Sequence, residues 1–309
     1  MQNHTPLLEY QRKGLTENIF SGSLVVFKKG KVIHSVGDVK SSFYSRSLIK
    51  PFYTKSYTQE LESLDWKQKA VCLSSHNGTK SHVECVKSLL PKNKQSLLKT
   101  PVSLPLVQDL KNPVFKPTKW IYNSSGHHAG ILLGLINKKI SAKDYCLKSH
   151  YVYKELKKTL NDFFKVKSYK IKKTAEDGDG LTTIAFNLPE IAELYAELGV
   201  RKDEDWIWQA FNKEPFFIGG DSRLDTAINQ LGQGKLLAKE GADGLLAVSM
   251  DVPGGASFVI KMGHGWDTIP TRRVAALILK KFGFQLENPA DPFKQKVKFN
   301  PLIASFQIP

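Results

Sequence analysis

Ser47 and Lys50 lie three residues apart in the segment Ser45–Pro51 and form the pattern Ser-x-x-Lys. Residues at positions i and i+3 of a helix share one face, so the lysine amine can reach the serine hydroxyl. A neutral lysine amine can take the hydroxyl proton and leave an alkoxide that attacks a carbonyl carbon. The pattern therefore predicts nucleophilic catalysis, although Ser-x-x-Lys alone also occurs by chance in a lysine-rich chain.

Four further segments are rich in small and polar residues in a way that core packing does not require. Residues 74–78 read Ser-Ser-His-Asn-Gly, which suits either a site loop or a turn whose side chains bond to the local backbone. Residues 122–130 contain the adjacent His127 and His128, which point about 100° apart on a helix and suit a single metal ion poorly. The other two segments are Glu176–Gly180 and Ile260–Gly265.

The surrounding sequence predicts the elements that position these segments. Residues 22–38 predict a hairpin whose turn gives Gly30 a positive φ. Residues 187–199 predict a helix with Asn187 as its cap and Gly199 just past its end. We also predict a helix over 143–164, a loop over 91–118, two strands within 241–265 and a helix over 270–283.

Hairpins lie toward both ends of the chain and helices lie between them. This order predicts an α/β fold in which one sheet is built from both chain ends, with a helical lobe beside it. Although 309 residues suffice for two domains, enzymes of this class often hold that length in one. We expect a single two-lobed catalytic domain over residues 1–309, with sheet from about 14–40 and 240–284 and a helical and loop lobe over about 80–235.

The composition excludes several classes of protein. With 41% apolar and 24% charged residues, the chain is globular rather than disordered or fibrous. Its longest apolar stretch, Ala129–Ile136, is far shorter than the roughly 20 residues of a membrane-spanning helix. The N-terminal segment lacks the pattern of a secretory signal, and three cysteines without Cys-x-x-Cys fit a reducing compartment. We therefore expect a cytoplasmic protein without a membrane partner.

A net charge of +16 is compatible with nucleic-acid binding. However, the densest basic run, Lys154–Lys173, contains eight lysines and no arginine. Arginine is the usual residue for bidentate contacts to phosphates and bases. We interpret the run as solvated lysine faces and expect a small-molecule partner rather than nucleic acid.

Taken together, seven segments resemble the L-asparaginase II family of the Rhizobium etli type, and the likeness extends from Gly14 to Phe284. In chain order they are RSLIKPF at 46–52, SSHNG at 74–78, NSSGHHAGILL at 123–133, DGDG at 177–180, GGDSRLDTAI at 219–228, AKEGADGL at 238–245 and VIKMG at 259–263. No single segment is decisive, but all seven occur in register.

The resemblance implies a fold similar to that of serine β-lactamases, penicillin-binding proteins and glutaminases. That fold is a mixed sheet flanked by helices, with a helical subdomain. The implied reaction converts L-asparagine to L-aspartate and ammonia, and the implied assembly is a homodimer. The site would carry two serine–lysine pairs, Ser47 with Lys50 and Ser75 with Lys261. We expect Ser47 to be the nucleophile and the second pair to shuttle protons or stabilise charge on the carbonyl oxygen.

The resemblance also implies residues that bind substrate and a metal. The substrate-binding positions are Arg46, His76, Asn123, His128 and Asp177. The family holds zinc through two cysteines and a lysine, and the matching residues here are Ser124, His127 and Asp179. Serine is a poor zinc ligand, so a thiolate site is excluded. Either a hydrogen-bonded His127–Asp179 pair holds the two loops together without metal, which we favour, or a weaker oxygen and nitrogen site binds a metal. We therefore expect no cofactor.

Two other functions remain open from the sequence. One is acyl transfer from a different amide, as in the penicillin-recognising enzymes, and the missing secretory signal argues against it. The other is a non-catalytic homologue that binds a ligand. The presence of both serines and both lysines of the two pairs argues against this second alternative.

Overall fold

The computed structural model describes residues 5–107, 116–265, 267–289 and 294–309. The chain divides into two compact units. We call Met1–Leu48, Ala185–Arg201 and Ala227–Pro309 the sheet unit, and Ile49–Ile184 and Lys202–Thr226 the helical unit. The predicted α/β class is confirmed, since the described residues form both an extended sheet and many helices.

The elements have the following bounds. The strands are β1 (Thr5–Arg12), β2 (Leu15–Lys28), β3 (Lys31–Val36), β4 (Phe43–Tyr44), β5 (Thr174–Glu176), β6 (Thr182–Phe186), β7 (Leu236–Gly241), β8 (Leu245–Met250), β9 (Ala256–Met262) and β10 (Lys296–Phe299). The α-helices are α1 (Lys50–Lys55), α2 (Trp66–Val71), α3 (Lys80–Leu89), α4 (Ser125–Asn137), α5 (Tyr151–Phe163), α6 (Leu188–Val200), α7 (Ile207–Lys213), α8 (Pro215–Ile218), α9 (Leu224–Gly232), α10 (Thr268–Lys281) and α11 (Pro301–Ser305). Two 3-10 helices cover Arg46–Ile49 and Lys92–Leu97. In the described ranges, no helix combines the length and the apolar character needed to cross a membrane.

A seven-stranded sheet forms the core of the sheet unit. Its order is β10-β1-β2-β9-β8-β7, and β3 pairs with β2 outside this path. All the strand pairs of this sheet are antiparallel. The resemblance, by contrast, implied a mixed sheet. β8 is buried at every residue, as expected for a strand that is covered on both faces. α6 and α10 both pack against β9.

The hairpin predicted over residues 22–38 is confirmed as β2 and β3. Lys29 and Gly30 connect the strands with φ angles of 50° and 77°. Positive φ at both central residues is typical of the type I′ turn, whose twist matches that of the flanking strands. The lysine tolerates this conformation beside a glycine that adopts it without steric cost.

The helix predicted over residues 187–199 is also confirmed, as α6. The Asn187 side chain accepts a hydrogen bond from the Glu190 N–H, and the Glu190 side chain accepts one from the Asn187 N–H. These reciprocal bonds satisfy two N–H groups that the first turn leaves open. Gly199 was expected past the helix end, and this is wrong, because α6 continues to Val200. A Cβ atom at Gly199 would lie 2.8 Å from Ser249 Oγ, so this glycine permits close packing on β8.

The predictions for the helical unit need correction at two places. The helix expected from residue 143 begins at Tyr151, because the His150 side chain accepts a hydrogen bond from the Val152 N–H and caps it there. Asp144 has a φ of 57°, which a continuous helix does not allow. The loop predicted over 91–118 contains the 3-10 helix Lys92–Leu97, and its residues 108–115 lie outside the described residues.

Candidate active site

Lys50 is the central charged group of the helical unit's site. It begins α1 and is only 3% exposed. Its Nζ donates to the Ser74 carbonyl at 2.6 Å, to Ser75 Oγ at 2.9 Å and to Ser124 Oγ at 3.0 Å. A lysine ammonium has three N–H donors, so these three oxygens can use all of them. The contact brings together Lys50 and two predicted site serines.

The segment 74–78 is held by long-range backbone bonds in addition to local ones such as that from Ser74 Oγ to the Val71 carbonyl. The Ser75 N–H donates to the Ile218 carbonyl at 2.9 Å, and the His76 N–H donates to the Asn123 carbonyl at 3.0 Å. Arg223 Nη1 donates to the Ser75 carbonyl at 2.8 Å. The position of the loop is thus fixed by residues far away in the sequence, and whether it forms part of a catalytic site stays a prediction.

His76, which was predicted to bind substrate, lies in the 74–78 loop, and its role toward substrate stays a prediction. The ring is fully buried. Its Nδ1 accepts a hydrogen bond from the Gly78 N–H at 3.0 Å, so Nε2 carries the proton and donates to Ser125 Oγ at 3.0 Å. Burial lowers the pKa of His76 far below its usual value, and the charges of neighbouring cationic groups lower it further. The two ring hydrogen bonds fix the orientation of His76 within the 74–78 loop.

The expected His127–Asp179 pair is wrong in its histidine. His127 Nδ1 lies 2.9 Å from the Cys72 carbonyl, and its buried Nε2 has no hydrogen-bond partner. It is His128 whose Nε2 approaches Asp179 Oδ2, at 3.6 Å, while its Nδ1 lies 2.7 Å from the Tyr145 hydroxyl. His128 is fully buried beside Asp179, and its predicted role toward substrate stays a prediction. Adjacent helical residues point in different directions, so only one of these histidines can face Asp179.

The pKa values in this cluster follow from burial and from the Lys50 charge. Burial lowers the pKa of His127 to about 3, and the Lys50 charge acts in the same direction. For Asp179, burial alone would raise the pKa. Interaction with His128, the Lys50 charge and the Leu181 N–H outweigh that effect and hold the pKa of Asp179 well below its usual value. Asp179 is thus a carboxylate that offsets the buried charge of Lys50.

Two of the three residues that match the family's zinc positions, Ser124 and His127, already bond to other groups of the chain. Ser124 Oγ already accepts a hydrogen bond from the Lys50 ammonium, whose charge repels a metal ion at that oxygen. His127 offers one nitrogen, because its other nitrogen is bound to Cys72. Over the residues that the structure describes, no group of three or more histidine, cysteine, aspartate or glutamate side chains is placed to hold a metal.

Ser47 and Arg46 belong to the sheet unit. Ser47 is half-buried in the 3-10 helix Arg46–Ile49. The Tyr195 hydroxyl of α6 donates to the Leu48 carbonyl at 3.0 Å and anchors this turn to the sheet unit. Arg46, directly before Ser47, has a φ of 49°, which is uncommon for a residue other than glycine. Its Nη1 lies 2.7 Å from Asp243 Oδ2.

Lys261 lies near the end of β9 in the same unit. Its Nζ donates to the Asp243 carbonyl at 2.6 Å and to the Met262 carbonyl at 2.9 Å. The ammonium also lies 5.7 Å from the centre of the Phe43 ring. Burial lowers the pKa of Lys261, and the Asp243 charge opposes the shift. The predicted pairings of Ser75 with Lys261 and of Ser47 with Lys50 stay predictions.

Two further predicted substrate-binding residues, Asn123 and Asp177, are half-buried. The Asn123 carbonyl accepts from the His76 N–H, and Asp177 Oδ1 accepts from the Gly178 N–H at 2.8 Å. Both therefore also shape their own loops, and their role toward substrate stays a prediction.

Sequence reasoning missed three residues that the structure brings into contact with predicted site residues. They are Tyr145 beside His128, Arg223 beside Ser75 and Asp243 beside Arg46 and Lys261. Arg223 and Asp243 lie in the segments GGDSRLDTAI and AKEGADGL, which carry the resemblance, so that signal was present. Tyr145 lies outside all seven segments, and no sequence signal marks it.

Comparison with known proteins identifies the family. One solved structure similar to this chain is the crystal structure of a β-lactamase from Mycobacterium bovis, with 11% sequence identity, coverage of 80% of this chain and 88% of that chain, and a TM-score of 0.40. The search of curated proteins gave no match. The family L-asparaginase II matches residues 8–302. Because that match covers nearly the whole sequence, this protein belongs to the L-asparaginase II family and thereby to the hydrolases of amides.

Proposed function

We propose that this protein hydrolyses the side-chain amide of L-asparagine to L-aspartate and ammonia. The observation that carries the proposal is the burial of the Lys50 ammonium against the hydroxyls of Ser75 and Ser124, in a chain of the L-asparaginase II family. A lysine held among hydroxyls and away from water is suited to exchanging protons with serine. The four predicted serine and lysine residues provide one nucleophile and the groups needed for its activation.

In the proposed mechanism, Ser47 is the nucleophile. After its ammonium has lost one proton to water, neutral Lys50 takes the Ser47 hydroxyl proton, and the alkoxide attacks the carbon of the side-chain amide. The C–N bond breaks, ammonia leaves with a proton returned by the lysine, and an aspartyl ester forms on Ser47. Water then cleaves the ester, giving L-aspartate and the free serine hydroxyl.

Ser75 is placed in this scheme as a proton relay. Its Oγ accepts a hydrogen bond from Lys50 and can pass a proton toward the leaving nitrogen. Lys261 adds positive charge that favours the negative oxygen of the tetrahedral intermediate. Asp179 balances the charge of Lys50 from within the helical unit.

The direct test is ammonia release from a panel of amides. We expect the protein to release ammonia from L-asparagine faster than from L-glutamine or succinamic acid. The panel should also include a chromogenic cephalosporin. Hydrolysis of the cephalosporin without ammonia release from L-asparagine would support the penicillin-recognising alternative. Binding of amides without any turnover would support the non-catalytic one.

The side chains at the family's zinc positions lead to a second prediction, which is that hydrolysis does not depend on zinc. Soft thiolates that hold zinc in the family are replaced by a hydroxyl bonded to Lys50, one histidine nitrogen and a carboxylate. We expect protein purified without added metal to contain far less than one zinc per chain and to keep its activity after dialysis against a chelator. Elemental analysis with parallel ammonia assays checks both points. One zinc per chain, lost together with activity, would contradict the prediction.

A further inference from the structure

Asp243 lies on a hairpin turn and contacts two cationic side chains that were predicted to belong to the active site. It lies between β7 and β8 and receives two cations, Arg46 on its carboxylate at 2.7 Å and Lys261 on its carbonyl at 2.6 Å. Arg46 is the residue directly before Ser47. The turn therefore connects the residue next to the proposed nucleophile with the lysine at the end of β9.

The turn is held firmly although it is at the surface. A Cβ atom on Gly265 would lie 2.9 Å from the Asp243 Cα, and one on Gly244 would lie 2.8 Å from the His264 carbonyl. Residues 243 and 244 thus pack closely against His264 and Gly265. Asp243 itself has a φ of 63°, and Arg46 has one of 49°. The φ of Asp243, together with 71° at Gly244, is typical of an Asp-Gly hairpin turn, whereas a positive φ at Arg46 is uncommon.

The Arg46–Asp243 ion pair remains in contact with water. The Arg46 side chain is 29% exposed and the Asp243 side chain 62% exposed. Ion pairs exposed to this extent contribute little to stability, because water screens the attraction. A ligand that carries both charges can therefore break the ion pair with little loss of free energy and form a new ion pair with each of the two side chains.

The substrate of the proposed function has such charges. L-Asparagine carries its α-carboxylate and α-ammonium on one carbon, two bonds from the amide carbon that Ser47 would attack. The paired Arg46 and Asp243, of which Arg46 directly precedes Ser47, match the two charges of this zwitterion. Resting on the proposed function, we infer that Asp243 binds the α-ammonium group of the amino-acid substrate while Arg46 binds its α-carboxylate.

The test compares two ligands that differ in the α-amino group, L-asparagine and succinamic acid, with wild-type protein and the variant Asp243→Asn. Asparagine tolerates a positive φ, so the variant should keep the turn. We expect its kcat/KM for L-asparagine to fall about 10- to 100-fold, mainly through KM, since one charge-assisted contact is lost. For succinamic acid we expect kcat/KM to change by no more than about twofold, because this ligand has no α-ammonium group for Asp243 to bind. Asp243→Glu should restore most of the loss.

A matched control and a binding measurement complete the test. Asp251→Asn changes an exposed aspartate just past the opposite end of β8. It should change kcat/KM for neither L-asparagine nor succinamic acid. Calorimetry in a Ser47→Ala background should show weaker binding of L-asparagine, but not of succinamic acid, when Asp243→Asn is added. Equal losses for both ligands would overturn the role of Asp243. Absence of turnover in the wild type would overturn the proposed function alone, because the binding comparison still decides the role of Asp243.

Discussion

Replacing Ser47 with alanine is expected to lower kcat/KM for L-asparagine by at least about 10³-fold, because the attacking oxygen is removed. The fold should be kept, since Ser47 is half-buried in a short turn and alanine is smaller. Ammonia release gives the rate, and urea unfolding gives the stability. Ser249→Ala is a matched control in the same unit, because that buried hydroxyl has no hydrogen-bond partner and lies far from Ser47 in sequence.

Ser75 is the competing nucleophile, since its Oγ lies 2.9 Å from Lys50 Nζ. If Ser75 is a relay, Ser75→Ala should lose about 10²-fold, the usual range for one proton-transfer group. Mass spectrometry of acid-quenched reactions of Ser75→Ala should find the acyl group on the peptide that contains Ser47. Full loss in Ser75→Ala with most activity kept in Ser47→Ala would reverse the two roles.

The sequence predicted best those features that depend on neighbouring residues. The β2–β3 hairpin depends on two residues that accept a positive φ, and the start of α6 depends on Asn187 and Glu190. The end of α6 was misplaced, because Gly199 is required by packing on β8, and packing is not visible in a local pattern. Local signals thus placed the β2–β3 turn and the start of α6 correctly, but not the start of α5, which lies at Tyr151 rather than at residue 143.

The candidate site depended on contacts that no local pattern contains. Choosing between His127 and His128 requires the rotation of α4, which is set by the Cys72 carbonyl on one side and Tyr145 on the other. Likewise, Lys50 contacts Ser124, 74 residues further along the chain. Seven matched segments could still name most of these residues, since a family resemblance carries tertiary information that spacing alone lacks. They could not assign the partner of each residue.

Acid should destabilise the helical unit strongly, because three of its buried histidines are held neutral. His76, His82 and His127 are at most 1% exposed. Burial lowers the pKa of His82 to about 4 and that of His127 to about 3, and it also lowers the pKa of His76 well below its usual value. In the unfolded chain these groups titrate near pH 6.5. Below that pH the unfolded state binds more protons than the folded state, so stability falls as the pH falls.

The magnitude follows from the same linkage. Each histidine lowers the free energy of unfolding by up to about 1.4 kcal/mol per pH unit below about 6.5, so three should lower it by about 4 kcal/mol between about pH 7.5 and 5.5. Asp179 adds nothing in this window, because its lowered pKa affects stability only below about pH 4. Urea unfolding followed by tryptophan fluorescence measures the effect, since Trp66, Trp120, Trp206 and Trp208 all belong to the helical unit.

A single variant distinguishes the contribution of the buried histidines to the pH dependence of stability from that of the other titratable groups. His82→Gln keeps a donor for the Phe216 carbonyl, which His82 Nε2 contacts at 3.0 Å, but it cannot take up a proton. It should reduce the loss between the two pH values by about one third, because one of the three groups no longer titrates. An unchanged pH dependence in this variant, or equal stability of the wild type at both pH values, would show that these histidines do not oppose protonation in the folded state.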